Sequence, residues 1–164
     1  MVEQQRFRDA MARLGAAVNV VTTDGPAGRG GFTASAVCSV TDDPPTLLVC
    51  MNRGSSLNET FKANGVLCVN TLAASQESLS PLFAGLTEVD RAEWWAAADW
   101  TALETGAPVL LGAVVSFDCR IAQVSEIGTH SVFFCEVDAI LPGPQRAGLI
   151  YFGREYHRIV VSAA

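Results

Sequence analysis

The chain has 164 residues, of which 49% are hydrophobic and 17% are charged, and this size and composition are typical of one domain with its own apolar core. Its formal net charge is -6, and we expect no nucleic-acid partner because an acidic surface repels phosphate backbones. The sequence has no apolar stretch of about 18 residues and no amino-terminal signal core, so we expect no membrane span and a cytoplasmic location.

The chain begins with short elements separated by turns. Apolar side chains recur at helical spacing in residues 3–14, which predicts a short amphipathic helix. Residues 16–23 are rich in β-branched side chains and predict a strand. The glycine-rich residues 24–31 then predict a hairpin loop that leads into the next strand.

The strand predicted over residues 31–41 has an unusual pattern. Thr33, Ser35 and Ser39 stand at alternate positions, so one face of this strand is expected to be small and polar. After the interruption DDPP, residues 46–52 form a nearly continuous apolar run. Such a run predicts a strand that is central in its sheet.

The rest of the chain is also rich in strands. Ser56 and Glu59 fit a capping box, so a helix is predicted to start near Ser56. Residues 75–101 are expected to be helical or irregular, and their three tryptophans to form a core or dimer-packing cluster. Further strands are predicted at 66–72, 114–128, 129–141, 149–152 and 157–161. Residues 1–164 are therefore predicted to form a single, mainly β domain, a β-barrel with a few short peripheral helices.

The segment that follows strand 46–52 has the features of an anion site. Asn52 ends the strand, and Arg53, Gly54, Ser55 and Ser56 lead into the predicted helix. A helix start, two hydroxyls and an arginine suit a phosphate, and the small strand face nearby suits a flat ring. In the alternative interpretation, Ser56 is only a helix cap and the small residues only pack against a helix.

The other reactive side chains give weaker signals. His130 stands at the joint between two strands, where it can meet a ligand or simply form a loop hydrogen bond. Two histidines without clustered carboxylates predict no metal site. Five widely spaced cysteines argue against a disulfide framework, and four of them are interpreted as small buried apolar residues: Cys50, Cys68, Cys119 and Cys135.

Residues 7–50, together with NRGSS, LCVNTLA, FAG, VSFDCRI, IGTH and GLIYFGREYH, resemble the flavin reductase-like family over nearly the whole chain. The resemblance implies a split β-barrel that binds FMN or FAD. It further implies a homodimeric NAD(P)H:flavin oxidoreductase that transfers a hydride to the flavin and supplies free reduced flavin to a separate monooxygenase. NADH is preferred to NADPH in this prediction, because no arginine cluster for an extra phosphate is evident.

The resemblance also implies roles for individual residues. His130 is the candidate catalytic residue, positioned toward the nicotinamide rather than acting as an essential acid, and its neighbours on that side are Gly128, Thr129 and Tyr156. The residues expected to bind the flavin are Thr33, Ala34, Ser35, Cys38, Ser39, Val40, Asn52, Ser55, Ser56, Phe83, Ala84 and Gly85. Hydride transfer between two bound rings needs proximity and not a protein nucleophile.

Three other functions remain open at this stage. In the first, the protein is a flavin carrier without reductase activity. The IGTH segment argues against this function, because a carrier needs no nicotinamide site. In the second, the same chemistry reduces a corrin or a ferric chelate. A pyridoxamine-phosphate oxidase-like enzyme is the weakest, because its substrate phosphate requires clustered basic residues and Lys62 is the only lysine.

Overall fold

Strands are the predominant secondary structure in the computed structural model, which describes residues 1–144 and 147–160. The helices are α1 (Gln4–Met11), α2 (Asn58–Asn64) and α3 (Leu79–Phe83), with 3₁₀ turns at Ala74–Gln76 and Arg91–Ala97. The strands are β1 (Ala16–Ala17), β2 (Asn19–Thr23), β3 (Gly30–Ala34), β4 (Val37–Asp42), β5 (Pro45–Asn52), β6 (Val66–Thr71), β7 (Trp100–Ala102), β8 (Pro108–Leu110), β9 (Val115–Ile127), β10 (His130–Pro142), β11 (Ala147–Phe152) and β12 (Glu155–Val160).

Seven strands form the main sheet, in the order β3-β2-β6-β9-β10-β5-β4. Its two edge strands, β3 and β4, are consecutive in the chain and only Ser35 and Ala36 separate them. The sheet must therefore curl until its edges meet at this turn, the seam of the barrel. The Cys50 backbone N–H donates to the Ala36 carbonyl at 3.0 Å, which extends the β4–β5 pairing up to the seam. This closure confirms the mainly β barrel. Smaller sheets, β1-β11-β12 and β7-β8, lie beside it.

Two apolar clusters support the fold. Inside the barrel, Phe61 is fully buried and packs against Phe32 and Phe133 with ring centroids 5.2 and 6.4 Å away. In the second cluster, the Phe83 ring contacts three tryptophan rings at centroid distances of 5.3 to 5.7 Å: Trp94, Trp95 and Trp100. The tryptophans are thus core residues that hold α3 against the barrel.

Several predicted elements are confirmed. The hairpin between β2 and β3 is present, and the two long strands β9 and β10 pair along their length with two β-bulges. No helix in the described ranges combines the length and apolar character needed to cross a bilayer. The last position of the strand predicted at 157–161 lies outside the described residues.

Three predictions about the region from 31 to 59 are wrong. The strand over 31–41 breaks at Ser35 and Ala36, so Thr33 and Ser39 lie on different strands and do not share a face. Strand β5 is not central, because it lies between β10 and the edge strand β4. No capping box forms, since α2 starts at Asn58 without a side-chain cap.

Candidate functional site

A pocket of about 380 Å³ lies between β3 and the carboxyl-terminal half of β5. This volume is in the range of small-molecule sites in proteins. Its walls come from the β3–β4 turn, the end of β5, the end of α3 and the tryptophan-rich turn. The lining residues are Gly31, Phe32, Thr33, Ala34, Ser35, Ala36, Cys50, Met51, Asn52, Ser55, Leu57, Phe83, Ala84, Gly85, Arg91, Trp94 and His130.

One wall of the pocket consists of small side chains where the barrel seam closes. Ala34, Ser35 and Ala36 follow one another there, and Cys50 faces them from β5. Because these side chains project little, a flat ring can approach the backbone closely. Burial raises the pKa of the Cys50 thiol, so this residue stays protonated and is a poor nucleophile.

Helix α3 is held tightly against β3 at the next part of the wall. The Thr33 hydroxyl donates to the Ser80 carbonyl at 2.6 Å. A Cβ at Gly31 would lie 2.8 Å from the Phe83 ring, so only glycine lets that ring pack here without a shift. This packing brings Phe83, Ala84 and Gly85 to the pocket.

The loop after β5 forms one polar end of the pocket. Asn52 accepts a bond from the Gly54 backbone N–H at 2.8 Å, and the Ser55 hydroxyl accepts one from the Leu57 N–H at 3.3 Å. The Ser56 hydroxyl accepts a hydrogen bond from Arg91 at 3.1 Å. That bond orients the guanidinium toward the loop.

Arg91 is the cation of this polar end. Its guanidinium lies 5.5 Å from the centroid of the Trp94 ring and has no carboxylate within 4.0 Å among the described residues. Arg53, which the sequence suggested for this role, instead forms an ion pair with Glu126 at 3.0 Å. An arginine without a carboxylate partner in an acidic protein is suited to bind an anion.

His130 lines the pocket from strand β10. It is paired in register with Asn52 of β5, which places the two residues side by side. Its Nδ1 lies 2.9 Å from the Thr129 hydroxyl. The imidazole is thus oriented by its own turn, beside the pocket wall formed by β5.

The structure brings together most of the residues that the sequence suggested for the flavin and nicotinamide. Those that line the pocket are Thr33, Ala34, Ser35, Asn52, Ser55, Phe83, Ala84, Gly85 and His130.

The other suggested residues lie outside this pocket. Cys38 and Ser39 line a separate groove at β4, and Val40 is exposed on the same edge strand. Gly128 and Thr129 lie in a neighbouring cleft with Arg53 and Lys62. The Tyr156 hydroxyl lies 2.8 Å from that of Ser80, on the outer side of α3, and Ser56 stands behind Arg91.

Sequence reasoning missed Arg91 and Trp94. Both belong to the 3₁₀ turn Arg91–Ala97, which has no recognisable ligand motif. The available signal was a single basic residue beside two adjacent tryptophans. That pattern does not reveal which distant loop the turn will pack against.

The known proteins that are similar to this chain include flavin reductases. Residues 11–160 match the model of the flavin reductase like domain. The chain is 60% identical to FMN reductase (NADH) RutF of Serratia proteamaculans (strain 568), over 97% of this chain and 90% of that protein. It is 61% identical to the protein of the same name from Ancylobacter novellus, over 96% of this chain and 86% of that protein.

Solved structures give the same picture. A flavin reductase homologue from Haemophilus somnus 129PT has a TM-score of 0.91 at 47% identity, over 96% of this chain and all of that one. The NADH:FAD oxidoreductase SgcE6 of Streptomyces globisporus C-1027, in complex with NAD and FAD fragments, has a TM-score of 0.88 at 28% identity, covering 100% and 99%. BorF, the flavin reductase component of a bacterial two-component tryptophan halogenase, scores 0.88 at 25% identity, covering 98% and 100%.

Proposed function

The chain belongs to the flavin reductase-like family, and on this premise we propose that it is an NADH-dependent flavin reductase that acts on FMN. One observation carries the assignment of the site. The pocket between β3 and β5 joins a wall of small side chains to an arginine that has no carboxylate partner among the described residues. A ligand with a planar ring at one end and a phosphate at the other fits that arrangement.

The pocket residues divide into three groups toward a flavin. Ala34, Ser35 and their neighbours at the seam leave room for the ring system and offer backbone groups to its polar edge. Asn52 and Ser55 stand where a ribityl chain would pass, and Arg91 would bind the phosphate. Phe83, Ala84 and Gly85 close the pocket beside that tail.

A bound flavin supplies the ring that accepts a hydride from NADH. The protein's own part is to hold two flat molecules in contact and to keep water from between them. His130 is the residue we assign to the nicotinamide side, since it lines the pocket next to Asn52. It acts by position and by hydrogen bonding.

We further propose that reduced FMN leaves the protein for a separate monooxygenase and that the functional unit is a homodimer. The name of BorF, a component of a two-component system, supports the first part. For the second, apolar side chains are exposed on β4 and β10, and exposed apolar surface is typical of association surfaces; they include Val40 and Ile140. Light scattering of the purified chain measures the association directly.

The activity is tested by mixing the protein with NADH and FMN in air and following absorbance at 340 nm. We expect NADH oxidation that depends on added FMN and continues for many turnovers, with a lower catalytic efficiency for NADPH. Rates measured with riboflavin or FAD in place of FMN show how strongly the activity depends on the phosphate end of the flavin. Binding of FMN without NADH oxidation would contradict the proposal and indicate a carrier, while a flavin-dependent reduction of a corrin or ferric chelate that is much faster than the oxidation of NADH in air would indicate another acceptor.

A further inference from the structure

The hairpin between β9 and β10 carries His130 to the pocket. Gly128 and Thr129 form its turn, and Gly128 has a φ of 56°, in the left-handed region that favours glycine. Ile127 is 65% exposed, so apolar packing does not hold the tip. The position of His130 therefore depends on its backbone pairing with Asn52 and on the polar contacts that the tip makes with other elements.

Arg53 makes the direct contacts to the tip. Its backbone N–H donates to the Thr129 carbonyl at 2.9 Å, and its guanidinium donates to the Gly128 carbonyl at 3.2 Å. Arg53 directly follows Asn52, which lines the pocket. The tip is thus bonded to the same loop that forms the polar end of the proposed flavin site.

Glu126 holds this arginine in place. One carboxylate oxygen lies 3.0 Å from Arg53 Nε and the other 2.7 Å from Lys62 Nζ on α2. The hydrogen bond from Lys62, the largest cause, together with the Ser131 hydroxyl and the nearby charge of Arg53, lowers the pKa of Glu126 below its ordinary value. The carboxylate is therefore ionised at neutral pH.

A buried polar pair connects Glu126 to the pocket wall. The Ser131 hydroxyl is completely buried and lies 2.9 Å from the Glu126 carboxylate. Asn58, also buried, donates to that hydroxyl at 3.1 Å and approaches the Asn52 carbonyl at 3.5 Å. Hydrogen bonds thus lead from the carboxylate to the backbone of a pocket residue.

The network of Arg53, Glu126 and Lys62 contributes little to the free energy of unfolding. The side chains of Arg53, Glu126 and Lys62 are 52%, 38% and 24% exposed, and ion pairs at such exposure add little to the free energy of unfolding. What the network does fix is the geometry of a hairpin tip that has few apolar contacts. A fixed tip gives His130 one position beside the pocket and avoids an ordering cost on binding.

We propose that Glu126 is a positioning residue for the nicotinamide co-substrate. Through Arg53 and Lys62 it holds the β9–β10 tip, and through the tip it sets where His130 stands when NADH arrives. The proposal rests on the proposed function. In this role, Glu126 contacts neither the flavin ring nor the nicotinamide ring.

The test is Glu126→Gln, which keeps the shape and removes the charge. We expect the KM for NADH to rise about five- to tenfold, as when a pre-organised group becomes mobile, with a smaller change in kcat and an unchanged Kd for FMN. Hydrogen exchange of the peptide covering 126–132 should become about threefold or more faster. Arg53→Met acts on the same contact, so the double variant should be no worse than the more affected single variant.

Glu59→Gln is the matched control. It removes the other carboxylate partner of Lys62, at 3.0 Å, on a side chain that is 84% exposed and that, among the described residues, forms no ion pair with Arg53. We expect wild-type KM and exchange in this variant. The proposal is overturned if Glu126→Gln leaves the KM for NADH and the exchange of the tip unchanged, or if it weakens FMN binding equally. If the wild-type protein does not oxidise NADH, the proposed function fails, while the exchange data still decide whether Glu126 holds the tip.

Discussion

Arg91 gives the candidate site its positive charge, and Trp94 and Ser56 together hold it there. The ring of Trp94 lies under the guanidinium, and the Ser56 hydroxyl accepts one of its hydrogen bonds. The remaining N–H groups are left for a ligand, and a phosphate monoester is the natural partner for a planar cation with several donors. Riboflavin, which lacks the phosphate, cannot make this interaction.

Replacing Arg91 with Met should therefore weaken the binding of FMN but not the binding of riboflavin. We expect the Kd for FMN to rise about tenfold to a hundredfold, the value of a hydrogen bond to a charged group, and the Kd for riboflavin to stay the same. Fluorescence titration measures both. Arg29→Met is the control, because Arg29 lies over Trp95 at 5.2 Å but is paired with Asp24 and does not line the pocket. Equal weakening of both ligands by Arg91→Met would show that Arg91 only shapes the pocket.

From residue patterns alone, without the family resemblance, roles were predictable only where neighbours in sequence are also neighbours in space. Asn52 and Ser55 follow a strand directly, so a motif of a few residues was enough to place them at the end of β5. Arg53 belongs to the same motif but turns away, because its partner Glu126 comes from a hairpin far along the chain. Arg91 enters from a turn whose docking place depends on the packing of Phe83 and the tryptophans.

At the scale of elements, the break between β3 and β4 has the greatest effect on the site. The alternation of hydroxyl residues predicted one strand from 31 to 41, yet the chain bends at Ser35 and Ala36 and supplies both edges of the sheet. Side-chain periodicity reports which way residues face along a straight strand and carries no information about where a barrel must close. The eight segments predicted as strands become twelve strands in the described residues, because 16–23 and 31–41 each divide in two and because β7 and β8 were not predicted.

The end of β10 provides a test of packing at this scale. A Cβ at Gly143 would lie 1.6 Å from the Ala113 carbonyl oxygen, whereas one at Gly148 in β11 meets nothing within 4 Å. We expect Gly143→Ala to lower the free energy of unfolding by about 1–3 kcal/mol, because backbone must move to make room. Gly148→Ala should be neutral or slightly stabilising. Urea unfolding of both variants measures this, and equal stability of the two would contradict it.

At the scale of the whole molecule, three buried thiols contribute to the loss of stability under alkaline conditions. Burial raises the pKa of Cys68, Cys119 and Cys135, the last to about 12. In the unfolded chain these thiols ionise near pH 9.0, while in the folded protein they stay neutral. The free energy of unfolding is therefore unaffected by them below that pH and falls as the pH rises above it.

Each such thiol contributes a slope of about 1.4 kcal/mol per pH unit once the unfolded form ionises. We expect Cys135→Ala to have a lower free energy of unfolding at pH 7, because packing is lost. Between about pH 9.5 and 10.5, its free energy of unfolding should fall less steeply with pH than that of the wild type, because one buried thiol is absent. Urea unfolding across that range measures the slope. Cys38→Ala is the control, because Cys38 is exposed, and a shallower slope in that variant instead would contradict the assignment.

The seam at Ser35 and Ala36 also links ligand exchange to the integrity of the barrel. The pocket walls formed by β3 and β5 lie near opposite edges of the sheet. A ligand that contacts both walls therefore spans the seam. Ligand binding and barrel closure are then thermodynamically linked, and a bound ligand stabilises the seam. Under the proposed function, each release of reduced FMN removes this stabilisation of the seam.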